Sequence, residues 1–250
     1  MKIGFIITAR LKSTRLKKKI ILDLEGKEVI YWMIQRLKLS TDVSEIIIAT
    51  STDPQDDPLY DLSLRENINC FRGSEDDVLL RIHEAAKEYS IDLIVNITAD
   101  CPLVSFDLIP QMIECYNDTN ADLITTFDLP HGFFFYGIKP EALQKVIELK
   151  EDSDTEVWGD YFISSDRFKV VDMGIPKKYL RPNYRLSLDY PEDLEFFRSL
   201  YKEFGTAIYK ASTMEVIEFL DDHPDIVKIN EHCEQLYLDR INKQRKTIYK

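Results

Sequence analysis

Short apolar runs alternate with longer stretches of helical periodicity through the first half of the chain. Lys2–Ile7 is a short apolar run and predicts a buried strand. Val29–Leu37 predicts a helix, with Gly26 as punctuation before it. Glu45–Thr50 predicts a second buried strand. Asp53-Pro54 and Asp57-Pro58 are turn signals ahead of a helix over Leu59–Asn67. Asn69–Arg72 predicts a short strand, and Asp76–Tyr89 a helix with Ser74 as N-cap and acids in its first turn. Asp92–Thr98 is the clearest strand, followed by a helix over Phe106–Tyr116 and a strand over Asp122–Phe127. Strands alternating with helices in this way imply βαβ units, hence an α/β fold with a mostly parallel sheet.

The alternation fails over Leu129–Pro182. Phe133–Tyr136 is a dense aromatic run between Gly132 and Gly137, and reads as core or interface in preference to a sugar-stacking platform. Helices are predicted over Pro140–Lys150 and Asp154–Ser164, and a strand over Phe168–Val171. The region reads as an insertion on the sheet, serving as an acceptor lid or a dimer face. Tyr184–Leu188 predicts a returning strand, Pro191 opens a helix at its first turn, and Met214–Leu220 predicts another helix. Asn242–Lys250 is basic and is expected to fray. With no repeat, linker or low-complexity segment, residues 1–250 read as a single domain.

Charge and cysteine usage narrow the class. The 250 residues carry a formal net charge of −12, a field that repels polyanions and argues against a broad nucleic-acid or anionic-membrane surface. Cys70, Cys101, Cys115 and Cys233 show neither C-x-x-C spacing nor a His pairing, so a metal cluster or thioredoxin-like site is not expected. Scattered cysteines fit a reducing cytoplasm. The first apolar run stops at Ile7, too short for a signal-peptide core, and no stretch approaches the ~20 residues that span a bilayer. The expected location is the cytoplasm.

Against this acidic background the segment from Thr8 to Lys19 reverses sign. It carries Arg10, Lys12, Arg15, Lys17, Lys18 and Lys19 without an acid, adds the hydroxyls of Ser13 and Thr14, and keeps the backbone accessible at Ala9. Directly after the first strand, it would place donors at the carboxyl end of the sheet, where a polyphosphate sits. It reads equally as a solvated basic loop, or as a patch for nucleic acid or an acidic partner. The chain has no Gly-x-Gly-x-x-Gly and no Walker-type loop, so a dinucleotide site is not expected. His83 and His131 have no sequence partner that would make them catalytic.

Four separated stretches carry a resemblance. They are Ala9-Arg10-x-x-Ser13-x-Arg15-Leu16-x-x-Lys19, Phe71–Leu79 with Arg81, Asn96–Leu103, and Arg185–Leu194. In this order, and over nearly the whole chain, they resemble the motifs of bacterial sugar cytidylyltransferases: the spore coat polysaccharide group and, further off, the CMP-KDO and CMP-sialate synthetases. Phe219-Leu220 with Pro224, and Ile229-Asn230 after it, is similar to the tail of the spore coat group. The resemblance implies a nucleotide-diphospho-sugar transferase-like three-layer fold, with residues 129–182 as an inserted acceptor and dimerisation region. It also implies a reaction, in which a sugar hydroxyl or sugar phosphate attacks the α-phosphate of CTP and pyrophosphate leaves. A Mg²⁺ cofactor and a homodimer come with it.

Carried over residue by residue, the resemblance assigns Arg10, Arg15 and Lys19 to the triphosphate, with Lys19, Arg10 and Asp100 as catalytic residues. Ala9, Ser13, Thr98 and Ala99 fall in the nucleotide site, Arg72, Gly73, Ser74, Asp77 and Arg81 near base and ribose, and Asp100 and Asp189 at Mg²⁺. The residue types suit these roles. Nucleotidyl transfer depends on in-line positioning and on neutralising phosphate charge. Arg grips phosphate oxygens bidentately and Lys acts as a point charge. Mg²⁺ is hard and takes one or two carboxylates together with substrate phosphates. Taken alone, Asp100 before Cys101-Pro102 also reads as an Asx turn or cap, Asp189 before Tyr190-Pro191 as an N-cap, and Arg72 and Arg81 as surface ion pairs.

The chain departs from the family pattern in places. Relatives usually carry Pro-Gly where Lys17-Lys18 stand, and a small residue at Lys12. A Glu-Val pair of the family is replaced by Tyr136-Gly137, and a Glu-His-Val-Thr run by Glu156–Gly159, both on the acceptor side. Two other readings stand beside the leading one. One is a glycosyltransferase of the same general fold, whose Asp-x-Asp would have to be Asp152-Ser153-Asp154, a pair that reads as a helix cap. The other is a non-catalytic nucleotide-binding relative.

Overall fold

The computed structural model describes residues 1–244, so most of the basic tail expected over Asn242–Lys250 lies outside the described residues. In chain order the first half holds β1 (Ile3–Thr8), β2 (Asp23–Leu24), β3 (Lys27–Glu28), α1 (Val29–Leu37), β4 (Glu45–Ser51), α2 (Asp57–Glu66), β5 (Asn69–Gly73), α3 (Val78–Glu88), β6 (Leu93–Thr98), α4 (Ile109–Thr119) and β7 (Leu123–Thr125). Then come β8 (Tyr136–Ile138), α5 (Pro140–Leu149), α6 (Asp160–Ile163), β9 (Val170–Asp172), α7 (Pro191–Phe204), α8 (Thr213–Asp222), α9 (Pro224–Val227) and α10 (Cys233–Gln244).

A sheet ordered β5-β4-β1-β6-β8-β7-β9 forms the middle layer. Side chains that alternate along its strands divide between two cores, as period-2 geometry dictates. Phe5 and Ile7 of β1, Ile48 of β4, and Val95 and Ile97 of β6 face one core, shared with α1, α2, α4, α7 and α8. Ile6, Ile47, Ala49 and Ile94 face the other, shared with α3, α5 and α6. Strands buried on both faces read as continuous apolar runs, which is the pattern that marked them in the sequence. The result is the expected three-layer α/β arrangement. Among the described residues no helix is long and apolar enough to cross a membrane.

Strand order reverses at β1, because β4 lies on one side of it and β6 on the other, both parallel to it. The register pairs Thr8 with Thr98 and with Ala49, so β1 and β6 end level at one edge and β4 runs two residues further. The crevice outside such carboxyl ends is where α/β sheets bind ligands.

Several elements differ from the sequence expectations. Helix α3 begins at Val78, and its N-cap is Asp77, whose carboxylate accepts the Leu80 N–H at 3.1 Å; Ser74 accepts the Asp77 N–H instead, at 3.1 Å. The helix expected over Asp154–Ser164 shrinks to α6, because Asp152 and Asp154 accept the N–H groups of Asp154 and Glu156 (2.9 and 3.4 Å), a local turn that competes with helix. Tyr184–Leu188 is no strand. It crosses the sheet end, pairing once with His131 and donating from Leu188 to the Asp100 carbonyl at 2.8 Å. The aromatic run feeds β8, which lies antiparallel between β6 and β7 and interrupts the parallel order. Phe133 and Phe135 of that run are fully buried in the chain's own core.

Gly132 lets that crossing happen. Its φ is +102°, and a Cβ built there would lie 2.2 Å from the backbone carbonyl of Leu186. Gly26 has φ +77° with nothing within 4 Å. Gly26→Ala should therefore cost only the left-handed strain of about 1–2 kcal/mol. Gly132→Ala adds overpacking of about 1–3 kcal/mol against a rigid backbone, so in denaturant unfolding it should lose clearly more than Gly26→Ala. Equal losses would contradict this packing.

Candidate active site

The basic loop leaves the end of β1 and turns back at Lys18, which adopts a left-handed conformation with φ 53°. That turn starts a short 3₁₀ segment, Lys19–Ile21, and sends Lys19 toward the carboxyl end of β6. Lys19 Nζ donates to Asp100 Oδ2 at 2.5 Å and to Asp189 Oδ1 at 2.8 Å. Asp100 comes from the turn after β6, and Asp189 from the end of the crossing segment. Arg15 donates to Asp189 Oδ1 at 2.6 Å, and the fully buried Arg185 donates to its Oδ2 at 2.8 Å.

Neither carboxylate serves as a helix cap. Among the described residues the Asp189 and Asp100 carboxylates accept no backbone N–H; the first turn of α7 is closed by Asp193, which accepts the N–H groups of Asp189 and Tyr190 at 2.8 and 2.9 Å. Asp189 is thereby left to face cations. Burial alone would raise both carboxyls. Lys19 outweighs burial at Asp100, and Lys19 with Arg185 and Arg15 does so at Asp189, so both lie below the usual carboxylate range. Burial would lower Lys19, yet the two aspartates hold it above its ordinary value. All three groups are charged at neutral pH.

Lys19, Arg15 and Asp100 of this cluster line a cleft of about 410 Å³, while Asp189 and Arg185 are buried behind them, outside the lining. Ala9, Arg10, Lys12, Ser13, Arg15, Lys19, Arg81, Thr98, Ala99 and Asp100 line it, joined from the far wall by Asp154, Glu156, Trp158 and Arg240. Arg81 is driven down to about 10 by its burial and by the charge of Arg10. Its Nη1 is held by the carbonyls of Ser74 and Glu75, but its buried Nε has no acceptor, and neither has the buried Nε of Arg15. Buried donors left without partners are rare, and two on neighbouring cationic walls suit an anionic ligand.

The other residues expected near the nucleotide lie outside this lining. Arg72 pairs with Asp57 at 2.7 Å and donates to the carbonyls of Ser51 and Asp53. Gly73 ends β5, and Ser74 accepts from the turn before α3. Asp77 is buried and binds Lys150 and Thr155, a bond that ties the loop after α5 to the start of α3. Residues missed from the sequence include Arg185, which also binds Asp193 at 3.0 Å and Glu234 at 2.8 Å. Its signal was present in the Arg185–Asp189 spacing of the fourth motif. Arg240 and Tyr237, on a mostly polar α10, carried none.

The donor set fits a hard divalent cation. Two ionised carboxylates converge on one cationic point, now filled by the Lys19 ammonium. Among the described residues no cluster of three or more His, Cys, Asp or Glu could hold a metal by itself, so an ion here would rely on ligand phosphates, as Mg²⁺ usually does.

A basic loop over a cleft at a switch point, with Asp100 in its lining and Asp189 bound to the same lysine from behind, defines a nucleotidyltransferase. Residues 4–244 match the family of cytidylyltransferases, and the chain belongs to that family, whose members transfer a cytidylyl group from CTP. It is 35% identical over 237 residues to an uncharacterised protein of Methanocaldococcus jannaschii, covering 94% of this chain and 97% of that one. It is 29% identical to the spore coat polysaccharide biosynthesis protein SpsF of Bacillus subtilis, covering 88% and 95%. A solved structure of a cytidylyltransferase from Leptospira borgpetersenii superposes with a TM-score of 0.82 at 28% identity, covering 91% of this chain and 97% of the other. The nucleotide-transferase type of three-layer fold is thus the one observed.

Two outcomes follow from this geometry. Lys18 carries left-handed strain of about 1–2 kcal/mol, and a Gly there would lose about 0.5–1 kcal/mol in chain entropy. Lys18→Gly should therefore raise Tm by a few degrees in calorimetry, since about 1 kcal/mol is about 2–4 °C at this size. Asp189→Asn leaves three cations short of a partner and should cost about 3–5 kcal/mol at pH 7. Because the folded carboxyl lies below its unfolded value of about 3.9, this stabilisation is present above that pH and is lost as pH falls through the folded value. The gap between wild type and variant in urea unfolding should narrow below about pH 4. A gap that widens on acidification would contradict the assignment.

Proposed function

We propose that the chain catalyses Mg²⁺-dependent transfer of the cytidylyl group of CTP to a hydroxyl or phosphate of a sugar, releasing pyrophosphate and giving an activated nucleotide sugar for surface polysaccharide or glycan assembly. The observation that carries this reading is the convergence of Arg10, Arg15, Lys19 and Arg81 over Asp100 and Asp189 at the switch point. The basic loop makes one side of the cleft locally cationic, although the chain as a whole carries −12.

In this reading Arg10, Arg15 and Arg81 grip phosphate oxygens, and the free Nε donors of Arg15 and Arg81 meet acceptors that the protein does not provide. Ser13 donates its hydroxyl, and Ala9, Thr98 and Ala99 form the wall against which the nucleotide lies. Lys19 moves its charge from the aspartates to the developing charge of the pyrophosphate. Asp100 and Asp189 would hold Mg²⁺, which when bound polarises the α-phosphate and offsets phosphate charge. Arg72, Gly73, Ser74 and Asp77 act one layer back, shaping the loop that presents Arg81.

A glycosyltransferase reading loses support because Asp152 binds the Asp154 backbone and so serves a turn. The resemblance to SpsF favours a sugar acceptor. A CTP-dependent reaction suits the cytoplasm, and we assign acceptor binding and a homodimer contact to residues 129–182. With Phe133 and Phe135 buried in the core, Phe134 remains in that region for the contact, beside the half-exposed Phe127 that precedes it.

Pyrophosphate release should be fastest with CTP among the four triphosphates and should need Mg²⁺. Lys19→Ala should lower kcat by about 10²–10³, the loss of one preorganised electrostatic donor. Lys12 is half-exposed and pairs with Glu75 at 3.0 Å, so Lys12→Ala should produce a small loss that rising salt erases. Similar, salt-sensitive losses for both variants would reduce the loop to a basic patch.

A further inference from the structure

The first half of the basic loop is held by a carboxylate that does not line the cleft. Asp56 is fully buried and stands at the N-cap position of α2. An aspartate in that position normally accepts an N–H of the first helical turn. Asp56 forgoes that bond, and its side chain turns to the loop after β1. Its Oδ1 accepts the Leu11 N–H at 2.7 Å, and its Oδ2 accepts the Ser51 hydroxyl at 2.5 Å. Ser51 is the last residue of β4, and its Oγ also accepts the Asp53 N–H at 3.1 Å, which leaves the hydroxyl proton for Asp56.

The bond falls at a particular place in the loop. Ala9 donates its N–H to the Ala49 carbonyl at 3.2 Å, which carries the pairing of β1 with β4 one residue further. Leu11 is buried, and without Asp56 its N–H would be a buried donor with no acceptor. Arg10 lies between these two fixed points. With the backbone held on both sides, its guanidinium is directed at the turn before α3, where Nη1 donates to the Glu75 carbonyl at 2.6 Å. Arg81 Nη1 donates to the same oxygen at 3.0 Å. Two guanidinium groups that share one carbonyl repel each other. Burial and then the charge of Arg10 lower Arg81, and Asp56 is foremost among the carboxylates that oppose them.

We propose that Asp56 is a positioning residue for the triphosphate site: by holding the Leu11 N–H it sets Arg10 beside Arg81 before the nucleotide arrives. The inference rests on the cytidylyl-transfer reading and adds to it a residue that touches no substrate. A guanidinium already in place binds without the loss of freedom that ordering its side chain would bring. Whatever Asp56 contributes to nucleotide binding is therefore exerted through Arg10.

The test is calorimetric titration of CTP into the full chain with Mg²⁺ in fixed excess, with urea unfolding as a check on the fold. Asp56→Ala should weaken CTP binding about tenfold. Asp56→Asn should stay within about threefold of wild type, because its amide oxygen accepts the Leu11 N–H and its amide nitrogen donates to Ser51 Oγ. The decisive comparison is made without Arg10. In an Arg10→Ala background, Asp56→Ala should weaken CTP by less than about twofold more, since nothing is left to position. Losses that multiply in the double variant, or an Asp56→Ala protein that folds and binds CTP like wild type, overturn the proposal. If Asp56→Ala does not fold, Ser51→Ala carries the same cycle, with a loss of about threefold when Arg10 is present and none when it is absent. A Ser51→Ala loss that is equal in both backgrounds, or no loss in either, overturns the proposal as well. Failure of the underlying reading looks different: wild type would then not bind CTP at all.

Discussion

One ammonium between two carboxylates organises this molecule. Lys19 comes from the loop after β1, Asp100 from the turn after β6, and Asp189 from a segment about ninety residues further on. Unit charges about 4 Å apart interact by about 4 kcal/mol at an effective dielectric of 20, so each link is comparable to a large fraction of a domain's net stability. The links hold only in combination. Asp189 is nearly fully buried and would be intolerable there without Lys19, Arg15 and Arg185, and Arg185 in turn is satisfied by Asp193 and Glu234. The first strand, the sheet centre, the crossing segment and the last helix are thus joined through a single electrostatic cluster at the mouth of the cleft.

The same cluster links fold to chemistry. Parallel strands that end level place loops from distant parts of the sequence side by side, and the reversal of strand order at β1 opens the crevice they share. The apolar faces of the sheet are consumed by the two cores, which leaves the strand ends free to carry charge. In the proposed reaction a triphosphate would bring negative charge to this crevice, giving Lys19 and Arg15 a partner other than Asp189 and leaving the carboxylates to a divalent cation.

Much of this was legible in the chain. Apolar runs such as Glu45–Thr50 and Asp92–Thr98 marked strands buried on both faces, and the sign reversal after Thr8 marked a basic loop that lines the cleft. The spacing of Ala9, Arg10, Ser13, Arg15 and Lys19 carried the resemblance, and these residues do line one cleft. Other features were hidden because they depend on distant partners. Ser74 looked like a cap, but the helix starts beyond it, at Val78, where Asp77 is pinned by Lys150 and Thr155. Tyr184–Leu188 has strand composition, yet Gly132 lets it cross the sheet end and bond to His131 and Asp100. Helix α10 has a polar sequence and gains its place from Glu234 and the Tyr237 ring, contacts that no local periodicity encodes. Local pattern thus revealed what the chain buries, whereas the far wall of the site is set by pairs of charges that meet only after folding.

In the proposed reaction Asp100 and Asp189 form a cation site that Lys19 occupies only until the nucleotide arrives. Anomalous diffraction from crystals grown with Mn²⁺ and CTP tests it most directly. A single strong anomalous peak is expected between the Asp100 and Asp189 carboxylates, with Lys19 Nζ displaced onto phosphate oxygens. CTP bound with Lys19 still bridging the two aspartates, and the manganese elsewhere, would contradict it.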